Sequence, residues 1–175
     1  MKKLKITELQ RLSKEQFQAV EKIPLVVVLD EVRSLNNVGS IFRTSDAFLV
    51  EKIYLCGITA TPPHPEIHKT ALGAEDSVSW QYFEKTLDAI QNLKNDGYLV
   101  YSIEQVHHST MLNELSLDKS KKYAVVFGNE VKGVQQEVVN QSDGCIEIPQ
   151  FGTKHSLNVS VTAGIVIWDL FKMLK

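Results

Sequence analysis

Ile148-Pro149-Gln150-Phe151-Gly152-Thr153-Lys154-His155-Ser156-Leu157-Asn158-Val159-Ser160 joins an apolar run, Cys145 to Ile148, to a long apolar stretch that reaches Leu174. The first run reads as a strand. The stretch from Ser156 to Leu174 reads as a helix. A strand that ends in proline and opens a polar loop before a helix is a common way to build a ligand pocket in an α/β domain. Ser156 suits the N-cap of the helix. Asn158 is harder to place, because Asn is a weak helix former and a buried one needs partners.

Upstream, strand-like and helix-like segments alternate. Thr7-x-x-Gln10 and Ser13-x-x-Gln16 have the form of capping boxes. Ile6, Leu9, Phe17 and Val20 recur at roughly helical spacing, so two short amphipathic helices are expected before Pro24 ends that region. Leu25-Val26-Val27-Val28-Leu29 does not alternate and reads as a strand buried on both faces. Asn37 to Phe48 is expected to be a helix, with Ile41, Phe42 and Phe48 on its apolar side, and Lys52 to Ile58 a strand. The three prolines of Thr61-Pro62-Pro63-His64-Pro65 require a loop. A helix over Lys69 to Glu75 follows, then one carrying Leu87, Ile90 and Leu93 that Asn95-Asp96-Gly97 stops. Strands are expected over Tyr98–Ile103, Tyr123–Phe127 and Cys145–Ile148, a short helix around Leu112 and Leu115, and another over Val134–Asn140. This order implies an α/β protein with a mostly parallel sheet covered by helices on both faces. No repeat or linker composition divides the chain, so one domain spanning residues 1–175 is expected.

With 175 residues, 43% hydrophobic, the chain can bury a sizeable core. Its formal charge of -2 and pI of about 6.2 give no long-range attraction for nucleic acid, so any such partner would have to meet local basic patches. Lys2, Lys3, Lys5, Arg11 and Lys14 form the densest patch. It is open to two readings, phosphate contact or solvated surface. Cys56 and Cys145 each lie in an apolar run and read as two buried thiols. The opening Met1-Lys2-Lys3-Leu4-Lys5 lacks the pattern of a signal peptide. Asn158, Ser160, Thr162 and Asp169 make the C-terminal helix a poor membrane span. A cytoplasmic protein is expected.

Two further strand-to-helix junctions carry candidate chemistry. After the first strand comes Asn36-Asn37-Val38-Gly39-Ser40-Ile41-Phe42-Arg43. Asn36 or Asn37 can cap the helix. Gly39 lets the first turn approach another backbone, and Arg43, one turn on, shares its face, which is expected to point at whatever binds the strand ends. The plain alternative is a capped helix with Arg43 paired to a surface carboxylate. The second junction is Phe127-Gly128-Asn129-Glu130-Val131-Lys132-Gly133, in which glycines flank an acid able to orient an amine or an arginine. An ordinary turn with Glu130 near a helix N-terminus explains it equally well.

Other signals are missing. The chain has no G-x-G-x-x-G and no Walker A loop. His64 and His68 are four apart, but Pro65 lies between them and no cysteine or third histidine is nearby, so no metal is expected. His155 and Ser156 do not belong to a hydrolase elbow.

Taken in order and spacing, the three junctions resemble the three motifs of the SpoU (TrmH-like) family of RNA 2′-O-methyltransferases, in the SPOUT superfamily. His68-Lys69-Thr70-Ala71-Leu72-Gly73-Ala74-Glu75 is also similar to members acting on tRNA. The resemblance covers about residues 24 to 174. It implies a fold whose C-terminal segment threads a loop as a trefoil knot, an exception to the rule against knots. It implies S-adenosylmethionine as cofactor, a homodimer with the active site near the subunit interface, and RNA as substrate, tRNA in preference to rRNA. It places cofactor contacts at Phe127, Gly128, Asn129, Ile148, Pro149, Ser156 and Leu157. It places the reaction site at Asn36, Arg43, Glu130, Ser156 and Asn158. Longer members carry a separate N-terminal RNA-binding domain; with only about 23 residues before the first strand, none is expected here, and RNA binding is expected to use the catalytic domain. Gln150 stands where members often have Met. The expected activity is methyl transfer to a ribose 2′-OH; the rival expectations are a catalytically silent RNA-binding protein and an unrelated small-molecule enzyme using the same strand-end pocket.

Overall fold

The computed structural model describes residues 1–175, with the side chain of Ile6 outside the described set. Seven strands form one sheet: β1 (Ile23–Asp30), β2 (Val50–Cys56), β3 (Trp80–Phe83), β4 (Tyr98–Ile103), β5 (Thr110–Met111), β6 (Lys122–Phe127) and β7 (Gly144–Glu147). Their spatial order is β3-β2-β1-β6-β4-β7-β5. Every neighbouring pair is parallel. The helices are α1 (Lys14–Ala19), α2 (Leu35–Ala47), α3 (Pro65–Ala71), α4 (Thr86–Asn95), α5 (Gln136–Gln141) and α6 (Val159–Leu174).

The continuous apolar run of β1 explains the layering. Leu25, Val27 and Leu29 face one way, into a core shared with Ile41 and Phe42 of α2, Ile67 of α3, and Val166, Ile167 and Leu170 of α6. Val26 and Val28 face the other way, into a core with Ala89, Ile90 and Leu93 of α4 and Val138 of α5. A strand buried on both faces needs apolar side chains at every position, so the lack of alternation is its signature. Each fully buried Leu or Val contributes about 1.5–3 kcal/mol relative to exposure.

Several expectations shift by a turn. Pro24 lies within β1, where the register to β2 is irregular between Ile23 and Val26, so its missing N–H breaks no regular ladder. The Ser13–Gln16 capping box forms at the start of α1. The Thr7–Gln10 box does not: Ile6–Glu8 is a single 3-10 turn, and Gln10 turns to a φ of 47°. The expectation for the Ile6 side chain lies outside the described residues. The helix expected from Lys69 starts earlier, at Pro65, with His64 as its cap, and a 3-10 turn over Ala74–Asp76 follows it. The segment around Leu112 and Leu115 is a 3-10 turn, Leu112–Glu114. Strands β3 and β5 were not anticipated. Both lie at sheet edges with side chains mostly exposed or half-buried, so they carry no burial pattern to read.

Cys56 is buried and Cys145 half-buried, both as free thiols. Burial pushes the Cys56 thiol up to about 12, which leaves it inert as a nucleophile. No described helix is long and apolar enough to cross a membrane.

Candidate active site

The chain leaves β1 for α2 and β2 on one side, and leaves β6 for α5 and β7 on the other. Strand order therefore reverses between β1 and β6. In parallel sheets the carboxyl ends of strands at such a reversal form a crevice. All three junctions singled out from the sequence converge there.

At the first junction Ser34 caps α2, its hydroxyl accepting from the Asn37 N–H at 3.3 Å. Neither Asn36 nor Asn37 is the cap, which corrects the sequence reading. With Ser34 in that role, Asn37 sits in the first turn with its carboxamide available. The Asn37 Nδ2 donates to Glu130 Oε1 at 3.1 Å, and its Oδ1 accepts from Asn158 Nδ2 at 3.2 Å. Asn36 is exposed and takes no part in this chain. Its carbonyl accepts from Ser40 Oγ and from Thr70 Oγ1, at 2.8 and 3.0 Å. Gly39 does allow a close backbone approach, but it faces α3 rather than the strand ends: an added Cβ would collide with the Ile67 carbonyl and Thr70 Oγ1. Arg43 is exposed and has no hydrogen bond or ion pair among the described residues.

At the second junction the chain closes on itself. The backbones of Asn129 and Gly133 exchange hydrogen bonds of 3.0 and 2.9 Å. Asn129 Oδ1 accepts from the N–H groups of Val131 and Lys132, and its Nδ2 donates to the Glu31 carbonyl at 2.7 Å. The Asn129 side chain thus holds the turn and ties it to the end of β1. Gly128 is required, since a Cβ there would strike the backbone of Gly133 and Val134. This turn presents Glu130 to the start of α2. Its carboxylate accepts from the backbone N–H of Arg33 at 3.0 Å and of Ser34 at 2.9 Å. The acid therefore meets backbone amides and the Asn37 amide, not an arginine side chain. Desolvation works to raise its pKa. The hydrogen bonds from Arg33, Ser34, its own backbone and Asn37 outweigh that and hold it below the ordinary value.

At the third junction the cap of α6 is Asn158, not Ser156. Asn158 Oδ1 accepts from the Ser160 N–H at 2.9 Å and the Val161 N–H at 3.4 Å. Its Nδ2 remains free to reach Asn37. Asn158 is exposed rather than buried, and its partners fix it. Ser156 is exposed, without a hydrogen bond among the described residues. The loop that carries it is tied back to the segment after β4, where Gln105 Nε2 donates to the His155 carbonyl at 3.0 Å.

A cleft of about 650 Å³ lies against these loops. Of the residues expected to hold a cofactor, Phe127, Gly128, Asn129, Ile148, Ser156 and Leu157 line it. Pro149 is half-buried outside the lining. Of the expected reaction-site residues, Glu130, Ser156 and Asn158 line the cleft, whereas Asn36 and Arg43 do not. Sequence reasoning missed Asn37, although Ser34-x-x-Asn37 is a capping pattern that would have freed it. It also missed Glu104, which lines the cleft and accepts from the Val134 and Gln105 N–H groups, each at 2.9 Å. A polar residue just past the end of a parallel strand was its signal.

The apolar floor (Ile103, Phe127, Ile146, Ile148) suits a planar ring system, and the carboxylates of Glu104 and Glu147 suit a cationic group. Among the described residues no His, Cys, Asp and Glu cluster is placed to hold a metal ion.

The SpoU rRNA Methylase family model matches residues 24–168. A Thermus thermophilus protein named tRNA (guanosine(18)-2′-O)-methyltransferase is 31% identical over 163 residues, covering 93% of this chain and 82% of that protein. The crystal structure of the Aquifex aeolicus TrmH/SpoU tRNA modifying enzyme superposes with a TM-score of 0.79 at 28% identity, covering 91% of this chain and 79% of that one. The AdoMet-bound rRNA methyltransferase of Sinorhizobium meliloti gives 0.79 at 27% identity, covering 95% of this chain and 62% of that one. With its three junctions gathered at one crevice and the match extending over most of its length, the chain belongs to the SpoU methylase family.

Proposed function

We propose that this protein transfers a methyl group to a ribose 2′-OH of RNA, with tRNA preferred over rRNA and S-adenosylmethionine as cofactor. The observation that carries the reading is the hydrogen-bonded series Glu130–Asn37–Asn158 at the rim of the cleft. Relatives named for tRNA ribose methylation and an AdoMet-bound structural neighbour support the substrate and cofactor.

The residues of the cleft fit the cofactor: the apolar side chains would take its adenine ring, the backbone around Phe127, Ile148 and Leu157 would meet the ring's polar edge, and Glu104 and Glu147 would suit its positive charge. When bound, S-adenosylmethionine supplies an electrophilic methyl group. The chain's own residues must orient the ribose hydroxyl and stabilise the charge that develops on its oxygen. Glu130 fixes Asn37, and Asn37 fixes Asn158, so the amides at the cleft rim are preorganised. Ser156, without a competing partner, is available to the ribose. Arg43 grips the phosphate next to the target and stabilises the alkoxide. A guanidinium with pKa above ~12 is not a base, so the proton passes to phosphate or water.

The C-terminal segment is read as a trefoil knot within a single SPOUT domain. The late insertion of β6 between β1 and β4, and of β7 between β4 and β5, supports this. A cytoplasmic homodimer is part of the proposal. Val161, Ile165 and Trp168 support the dimer, as they form an exposed apolar stripe at helical spacing on α6, 52%, 39% and 48% accessible.

The test is incubation with methyl-labelled S-adenosylmethionine and, separately, unmodified tRNA and rRNA. Alkali-resistant labelled dinucleotides are expected, because a blocked 2′-OH cannot attack its phosphate. Cofactor binding without transfer to either RNA points to a silent RNA-binding protein, and absence of cofactor binding overturns the proposal.

A further inference from the structure

A second cavity, of about 580 Å³, lies away from the cleft. It is lined by Pro62, Pro63, His64, His68, Glu75 and Trp80, with Pro65 and Asp76 completing the rim. Its size falls in the usual range for small-ligand sites, roughly 300–1,000 Å³. Trp80 is 36% accessible although large and apolar, and it sits on the edge strand β3. Tyr82, two residues along and so on the same face, is 46% accessible.

The polar side of the cavity is built. The His68 side chain is 67% exposed, yet its Nδ1 is held by Glu75 Oε1 at 2.5 Å. The Glu75 side chain is only 7% exposed, and its other oxygen accepts from the Gly73 N–H at 3.0 Å. Burial works to raise the Glu75 pKa, but the hydrogen bonds from its own backbone, His68 and Gly73 hold it below the ordinary value. Glu75 is therefore anionic at neutral pH, and Nδ1 must carry the proton. With Nδ1 turned to Glu75, Nε2 is the ring nitrogen left for a ligand, fixed in direction. The carboxylate of Asp76 adds an acceptor at the rim. A ring nitrogen and a carboxylate beside an aromatic face suit a flat group with hydrogen-bonding atoms on its edge.

The cavity is joined to the proposed reaction site. His68 lies on α3, which packs on α2 at Gly39 and donates from Thr70 Oγ1 to the Asn36 carbonyl at 3.0 Å. The same α2 carries Asn37 and Arg43.

We propose that this cavity is a nucleobase slot: an unpaired base of the RNA substrate stacks on Trp80 and hydrogen-bonds through its edge to His68 Nε2. The inference rests on the RNA-methyltransferase reading. Stacking on an aromatic side chain is tolerant of sequence, so Trp80 anchors the base and His68 meets its edge.

The test measures methyl transfer to unmodified tRNA and rRNA transcripts by wild type, Trp80→Ala, Trp80→Phe and His68→Ala. Trp80→Ala is expected to raise the KM for RNA roughly tenfold, the scale of one lost base stack, with kcat and cofactor affinity kept. Trp80→Phe is expected to recover most of that loss. His68→Ala is expected to raise KM for RNA by a smaller factor. Should Trp80→Ala fail to fold, fluorescence decides: the chain has two tryptophans, so Trp168→Phe leaves Trp80 as the sole reporter, and the same transcripts should quench it saturably. Transfer by wild type with an unchanged KM in folded Trp80→Ala, or no quenching on saturation with RNA, overturns the slot alone. No transfer by wild type to either RNA overturns the methyltransferase reading itself.

Discussion

Asn37 donates to Glu130 with one end of its carboxamide and accepts from Asn158 with the other, so a residue on α2 couples the turn after β6 to the start of α6. Both bonds cross between segments far apart in sequence. Asn37→Ala removes the coupling while leaving the cap at Ser34 in place. The single-turnover rate of methyl transfer is expected to fall at least about tenfold, below the ~10²–10³ typical for a group that touches the developing oxyanion itself. Cofactor affinity is expected to change little. An unchanged rate would remove Asn37 from the site.

Arg43 has no partner among the described residues, so its value to the fold is small. Arg43→Ala is expected to keep stability within about 0.5 kcal/mol, as other surface changes do. Transfer should nonetheless be abolished. Arg43→Lys keeps the charge and loses the planar fork, and should recover only a minor part. Thermal melts paired with kcat separate the two effects. Near-normal turnover of the lysine variant would rule out a bidentate contact.

The depressed pKa of Glu130 makes a statement about acid stability. A carboxylate whose folded pKa lies below its ordinary value of 4.5 adds stability above that pH and loses it as the pH falls through the folded value. Glu130→Gln cannot titrate. Its melting temperature should lie below that of wild type at neutral pH, and the gap should narrow below pH 4.5. Parallel curves down to strong acid would contradict the hydrogen-bond account.

Gly39 sits where α2 meets the Ile67 carbonyl, with no room for a methyl group. Gly39→Ala forces the helices apart and is expected to cost about 1–3 kcal/mol. Urea unfolding would show a lower midpoint with an unchanged slope.

Ile165 lies in the exposed apolar stripe of α6 and is 39% accessible. If two copies pair through this face, Ile165→Lys places a charge in the interface. Light scattering should then report a shift from dimer to monomer. Retention of a dimer would move the interface elsewhere.

Much of the fold was legible because burial writes itself into sequence. Leu25 to Leu29 is apolar at every position, as a strand covered on both sides must be, and it became the centre of the sheet. The edge strands were not legible, since Trp80 to Phe83 is largely exposed and pairs on one side only. At the site, the junctions announced themselves through glycine and polar residues at strand ends. Which of two adjacent asparagines faced the crevice did not. That depended on Ser34 taking the cap two or three residues earlier, since each residue along the helix turns the side-chain direction by about 100°. The pairing of Glu130 with backbone amides was equally hidden, because the N–H groups of Arg33 and Ser34 leave no mark on residue type.

The sheet's order constrains how the chain reaches its native state. Strands β1 and β4 never touch; each pairs with β6, which comes later in the chain. Before Lys122 only β1, β2 and β3 can pair with one another; β4 pairs with β6 and β7, and β5 with β7, all later in the chain. Such pairing across long separations is slow, because loop closure precedes any gain from contact. On the ribosome, the N-terminal two-thirds of the chain therefore waits for its own C-terminus. A fragment ending before Lys122 would stay aggregation-prone and would not mature into a smaller version of the same structure.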